Sequence, residues 1–168
     1  MSDSDDPRKE AEQLRSAHQT LLLSTVNSDG FPEISVAGYI EEEHKFYLFI
    51  SGLAAHTRNL QENGLASIMF IEEESAADHP FGRKRLTYRC NANLIPRDAD
   101  RFDHLLDQFE NQFGTLIQTL RGLGDFQLFE LSIDKGRYIA GFGKTFEIRS
   151  QEHPFQQVTE ATLSKGAP

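Results

Sequence analysis

Three apolar, strand-like runs follow one another in LLLSTVNSDGFPEISVAGYIEEEHKFYLFIS, residues 21–51, and only short links separate them. A parallel crossover needs a dozen or more residues, so these runs can pair only antiparallel. The first link, NSDGFP, carries the Asp29-Gly30 pair that suits a tight hairpin. The second, EEEH, is a short acidic turn. An antiparallel meander therefore anchors the fold.

The remaining elements extend it. Pro7 and the apolar series Ala11, Leu14, Ala17 predict a first helix over 7–19. AAHTRNLQEN reads as a short helix, with Gly64 placed as its left-handed cap, and LASIMFIEE returns to strand. A polar loop leads to RKRLTYRCNANLI, a long strand with Leu86, Tyr88, Cys90 and Ala92 on one face and Arg85, Thr87, Arg89 and Asn91 on the other. In PRDADRFDHLLDQFENQFG, the residues Phe102, Leu105, Leu106, Phe109 and Phe113 form one helical stripe, with Asp98 as the expected cap and Asp100 favouring its positive end. TLIQTLRGLG adds a further helical turn or two. DFQLFELSI, an expected turn at DKG, then RYIAGFG and TFEI close the chain as strands. The predicted fold is α+β: a predominantly antiparallel, split β-barrel with flanking helices. Residues 1–148 are expected to form a single domain and 149–168 a polar, loosely ordered tail.

With 168 residues, 38% of them apolar and 13 Phe, the chain has ample core material for one domain. The net charge of −9 argues against a nucleic-acid binder, which gains affinity from clustered cations. No apolar run approaches the roughly 20 residues that span a bilayer. The acidic N-terminus lacks a secretory apolar stretch, and Cys90 is alone, so a cytoplasmic location is expected. His18, His44, His79 and His104 read as structural or solvated, and Cys90 as a small buried hydrophobe.

Two clusters carry candidate chemistry. Ser51, His56, Thr57, Arg58 and Asn59 surround one turn of the short helix, where hydroxyl and cationic donors meet a helix N-terminus. Such groups suit an anion such as a phosphate, and they equally suit an ordinary capped helix. Arg83, Lys84, Arg85 and Arg89 form a short cationic group, suited to one small anion or to pairing with Glu72, Glu73 and Glu74.

The blocks HTRNLQEN, RKRLT and GRYIAGFG, in that order and spacing, resemble the pyridoxamine-phosphate-oxidase-like, FMN-binding split-barrel superfamily. Within it the chain looks most like the haem-utilisation (HugZ/HutZ-type) branch, over about residues 12–148. The resemblance implies a homodimer that holds haem or FMN as its small-molecule ligand. It further implies oxidative degradation of haem with release of iron; the alternatives are an FMN-dependent oxidoreductase and a non-catalytic carrier of haem or flavin. Arg85 matches the Arg of the branch's KRL segment, facing the haem. Asp125, in GLGDF, matches the acidic residue that buttresses the axial imidazole. These two are the expected catalytic residues. Ser51, His56, Thr57, Arg58, Arg83 and Lys84, with Arg85, are the expected cofactor-binding set. The branch's axial His lies in the tail, where His153 is the one imidazole here and stands nearer to GFG than that pattern has it.

Overall fold

A computed structural model of the chain describes residues 6–149 and 156–159. Helix α1 (Pro7–Ser16) opens on Asp6, whose carboxylate accepts the Arg8 N–H at 3.0 Å. It ends three residues short of the expected 19, because the Ala17 and His18 amides turn back to the carbonyls of Gln13 and Arg15. Strands β1 (Thr20–Val26) and β2 (Pro32–Glu42) pair antiparallel, with Leu23 opposite Ser35. Asn27 Oδ1 accepts the Asp29 and Phe31 amides at 3.0 and 2.8 Å and so holds the hairpin, while Gly30 takes φ 79°. Glu43 and His44, both at positive φ, form the turn into β3 (Lys45–Ser51).

Helix α2 (Ala55–Asn63) ends at Gly64, φ 66°, whose N–H reaches the Leu60 carbonyl as the sequence predicts. Strand β4 (Leu65–Ile71) and two short 3-10 turns lead to β5 (Arg85–Ile95). Helices α3 (Phe102–Phe113) and α4 (Leu116–Arg121) follow, then β6 (Phe126–Gly141), β7 (Lys144–Ile148) and β8 (Gln156–Gln157). The sheet runs β3-β2-β1-β4-β5-β6-β7-β8, and β3 also pairs with β6. Six strands thereby close on themselves, which removes their edges. With four helices this is the α+β, antiparallel split barrel expected.

Three local expectations are corrected. Asp98 does not cap α3: turns closed by Ala99 N–H on Pro96 O and by Phe102 N–H on Ala99 O delay the helix, and no side chain caps it. DKG is not a turn. Strand β6 passes straight through it and reverses instead at Gly141 and Gly143, both at positive φ. Gly136 serves packing: a Cβ there would lie 2.6 Å from Tyr88 Cδ1. The tail is not wholly loose, since Gln156–Gln157 pair with β7.

The chain divides into two compact units, one made of Gln19–Ile68 and Cys90–Ile133. In it the α3 stripe of Phe102, Leu105, Leu106 and Phe109 is buried with Tyr47, Phe49 and Leu128. Each such side chain contributes about 1.5–3 kcal/mol through burial. The other unit comprises Met1–His18, Met69–Arg89 and Asp134–Pro168. There Glu10 Oε2 accepts the Tyr138 hydroxyl at 3.1 Å and Lys84 Nζ at 3.0 Å, fastening α1. Burial, then the charge of Glu10, pushes the Tyr138 phenol well above its ordinary pKa, so it stays a donor.

Candidate functional site

Within the unit holding α2, Ser51 ends β3 opposite Phe126 in the register with β6, which brings Asp125 beside the chain leaving β3. Ser51 Oγ donates to Asp125 Oδ2 at 2.7 Å and accepts the Leu53 N–H at 3.1 Å. The Gly52 N–H donates to the Asp125 carbonyl at 2.8 Å. A Cβ on Gly52 would sit 2.9 Å from that oxygen, so the approach needs glycine. Thr57, fully buried, donates from Oγ1 to the Ser51 carbonyl at 2.6 Å. Ser51, Thr57 and Asp125 are thus brought together, and both hydroxyl protons are already engaged.

His56 lies on α2 with Nδ1 at 2.8 Å from Ser35 Oγ, and that hydroxyl is 3.4 Å from the Leu23 carbonyl. Giving the Ser35 proton to Leu23 puts the imidazole proton on Nδ1 and leaves Nε2 as an acceptor. Burial pushes the imidazole below its ordinary pKa, so it is neutral at pH 7. Arg58 is exposed, and its side chain has no hydrogen-bond or ionic partner among the described residues. Asn59, buried, donates from Nδ2 to Thr25 Oγ1 at 2.9 Å and to Glu33 Oε2 at 2.6 Å. Asn59 therefore serves neither as a local cap nor as a free ligand donor: its amide locks α2 to the β1–β2 hairpin.

The His56 environment gives a signed expectation. Its folded pKa is lower than the unfolded one, so its contribution is whole above about pH 6.5 and is lost as pH falls through the folded value. Urea midpoints at pH 7 and pH 5 should therefore drop less in His56→Gln than in wild type. Equal drops would exclude the effect. His104, raised by its hydrogen bond to Glu42, acts in the opposite sense, but it is fully exposed and screened.

The other unit holds the cationic group. Arg83 donates to the Glu72 carbonyl from Nη2 and Nε at 2.6 and 3.0 Å, and Nη1 lies 3.5 Å from Glu74. The Lys84 N–H takes Glu72 Oε2 at 3.0 Å while its Nζ takes Glu10. Arg85 differs. It is half-buried, its Nη1 donates to the Arg83 carbonyl at 2.9 Å, and no carboxylate among the described residues pairs with it. Pairing with the acidic run Glu72–Glu74 therefore accounts for Arg83 and part of Lys84 but not for Arg85. His153 lies outside the described residues.

One charged residue went unnoticed in the sequence. Glu130, buried in β6, takes Lys45 Nζ at 3.0 Å, the Tyr47 hydroxyl at 3.3 Å and the Arg101 guanidinium. The signal was a glutamate inside the apolar run LFELSI, where a solvated carboxylate has no place.

The family model for pyridoxamine 5'-phosphate oxidase matches residues 7–140. Heme oxygenase HutZ of Vibrio cholerae is 35% identical over 143 residues, covering 85% of this chain and 81% of that protein. A crystal structure of Vibrio cholerae HutZ, described as a heme storage protein, superposes with TM-score 0.72 at 36% identity, over 76% of this chain and 90% of that one. Campylobacter jejuni ChuZ matches with TM-score 0.80 at 33% identity, over 96% of this chain but 64% of ChuZ, so this chain spans less than two thirds of its length. No helix among the described residues is long and apolar enough to cross a membrane. On this likeness the chain belongs to the pyridoxamine 5'-phosphate oxidase family, in its haem-utilisation branch.

Proposed function

We propose that this chain binds haem and degrades it oxidatively, releasing iron. The observation that carries the reading is the 35% identity, across most of both chains, with a protein named as a haem oxygenase. The residues present fit the group. Haem brings two propionates, which need a cation with unspent donors, and among the described residues the Arg85 guanidinium is engaged through Nη1 alone. A flavin phosphate would need hydroxyl donors free of neighbouring anions. Ser51 and Thr57 instead direct their protons to a carboxylate and a carbonyl. A dianion would meet the Asp125 charge at the same place, which favours haem over FMN.

The roles follow from these contacts. Arg85 binds an anionic arm of the ligand. Lys84 and Arg83, each partly engaged elsewhere, are secondary partners. Arg58, on α2, is proposed as a cation for an anionic ligand, its side chain being without a partner among the described residues. His56, neutral and with Nε2 open, accepts a hydrogen bond from a ligand-side donor, and Ser51 and Thr57 support that region. Asp125 would accept a hydrogen bond from an imidazole that holds the haem, for which His153, outside the described residues, is the proposed residue. Haem, when bound, would supply the iron at which oxygen is activated. The chain is proposed to act as a homodimer in the cytoplasm, without nucleic acid or membrane as partner.

Two other readings have specific support. The pyridoxamine 5'-phosphate oxidase match favours an FMN-dependent oxidoreductase. The description of the HutZ crystal structure as a storage protein favours a carrier. Visible spectra after adding haemin or FMN separate them. A sharp Soret band that decays with ascorbate and air, with iron released, is the expected result. A Soret band that persists would leave a carrier, and a bound flavin without haemin uptake would leave the oxidoreductase.

A further inference from the structure

We propose that Ser51 is the positioning residue for Asp125: it fixes the carboxylate through Oδ2 and leaves Oδ1 open to accept a hydrogen bond from a ligand-side donor. The ligand end of this assignment rests on the haem reading above; the pairing itself does not.

A carboxylate at the start of a strand ordinarily turns freely toward water. Asp125 cannot, because both its backbone and its side chain are held. Its carbonyl takes the Gly52 N–H at 2.8 Å, an approach that any side chain at position 52 would obstruct. Its Oδ2 takes the Ser51 hydroxyl at 2.7 Å. That hydroxyl has little freedom of its own. Ser51 Oγ accepts the Leu53 N–H at 3.1 Å, which directs its one proton outward to the carboxylate. The Ser51 backbone is secured in turn by the buried Thr57 hydroxyl, 2.6 Å from the Ser51 carbonyl. Thr57 thus steadies the Ser51 backbone, while the Leu53 N–H, the Ser51 hydroxyl and Asp125 Oδ2 form a directed series in which one bond polarises the next.

The series ends on an oxygen that no described residue uses. Among the described residues, no donor reaches Asp125 Oδ1, and the residue is half-buried. A helix cap or a turn would consume that oxygen on nearby backbone amides. Here the local amide from Leu53 goes to the serine instead, so the carboxylate keeps one acceptor in a fixed direction. That arrangement suits the orientation of a ring N–H or a bound water, whose placement depends on the acceptor being held still.

A double-mutant cycle tests this in the full chain, with haemin as the probe. Soret titrations are run on wild type, Ser51→Ala, Asp125→Ala and the double variant. Removing a hydrogen bond to a charged group should weaken haemin binding about fivefold to tenfold in Ser51→Ala. The double variant should bind within about twofold of Asp125→Ala alone, because Ser51 acts through Asp125. Ser51→Thr, which keeps the hydroxyl, should stay within about threefold of wild type. A second readout needs no ligand. The carboxyl ¹³C signal of Asp125 at pH 7 should move in Ser51→Ala and hold in Ser51→Thr. Independent, additive losses in the cycle, or a carboxyl signal indifferent to Ser51→Ala, would overturn the assignment. If the wild-type chain takes up no haemin the haem reading falls, and the carboxyl signal still decides whether Ser51 holds Asp125.

Discussion

Arg85→Ala is expected to weaken haemin binding about tenfold to a hundredfold while leaving the melting temperature within a few degrees of wild type. The direction follows from what Arg85 does in the folded chain. Among the described residues its side chain makes one bond, from Nη1 to the Arg83 carbonyl, and a single such hydrogen bond contributes roughly 1 kcal/mol. Its charge meets no carboxylate among the described residues, so most of what it offers there is unused. Arg83 and Lys84 are different, since part of each is engaged by Glu72, Glu74 or Glu10. Their alanine variants should lose less affinity than Arg85→Ala. Arg85→Lys sharpens the experiment: a point charge without the planar fork should recover part of the affinity, because a carboxylate prefers bidentate donors. Soret titration and thermal melting decide the matter together. A lowered melting temperature with unchanged affinity would make Arg85 a structural residue and remove the main physical support for an anionic ligand.

The barrel was legible because its signals are local. Short links force antiparallel pairing, Asp29-Gly30 marks a hairpin, Gly64 stops α2, and the alternation from Arg85 to Ala92 gives one buried and one open face. Where the reading failed, one residue type had two uses. Gly136 follows Asp134 and Lys135 as a turn glycine would, yet it is a strand glycine against the Tyr88 ring. Distinguishing the two requires knowing which side chain lies opposite, and that is a contact 48 residues away in sequence. Asp98 failed for a related reason: an acidic residue before an amphipathic stripe looks like a cap, but the intervening turns placed it outside the helix.

The site was legible as composition and illegible as wiring. Ser51, Thr57 and Asp125 were each singled out, but as phosphate donors and as a separate acid. Only the β3–β6 register brings residue 125 next to residue 51, and that pairing turns two apparent anion donors into supports for a carboxylate. His56 was similarly visible, while its partner Ser35 was not, because the bond crosses from the helix to a hairpin strand. Glu130 shows the same limitation most fully, since both of its cations come from remote segments.

That carboxylate carries the largest expected stability effect: Glu130→Ala should lower unfolding free energy by about 3 kcal/mol. Burial alone raises the Glu130 pKa, but hydrogen bonds from Lys45 and Arg101 outweigh it and hold the group below its ordinary value. Lys45 and Arg101 keep 40% and 48% of their side-chain exposure, so after Glu130 is removed they regain water and the cost stays moderate. Tyr47 has no such recourse. Its residue is 1% exposed, and its hydroxyl would lose the acceptor 3.3 Å away. Glu130→Leu separates these contributions, since it restores apolar volume while leaving the Tyr47 hydroxyl proton without its acceptor, although Arg101 Nη1 still lies 3.5 Å from that oxygen. It should recover part of the loss and remain less stable than wild type. The pH dependence has a definite sign. Because the folded pKa is depressed, this stabilisation is complete above the unfolded carboxylate value and disappears as pH falls through the folded one. Urea midpoints between pH 7 and pH 3 should therefore decline less steeply in Glu130→Gln than in wild type. A Glu130→Ala chain as stable as wild type at pH 7, or parallel acid limbs for wild type and Glu130→Gln, would mean that the cations stay solvated and the network contributes geometry without stability.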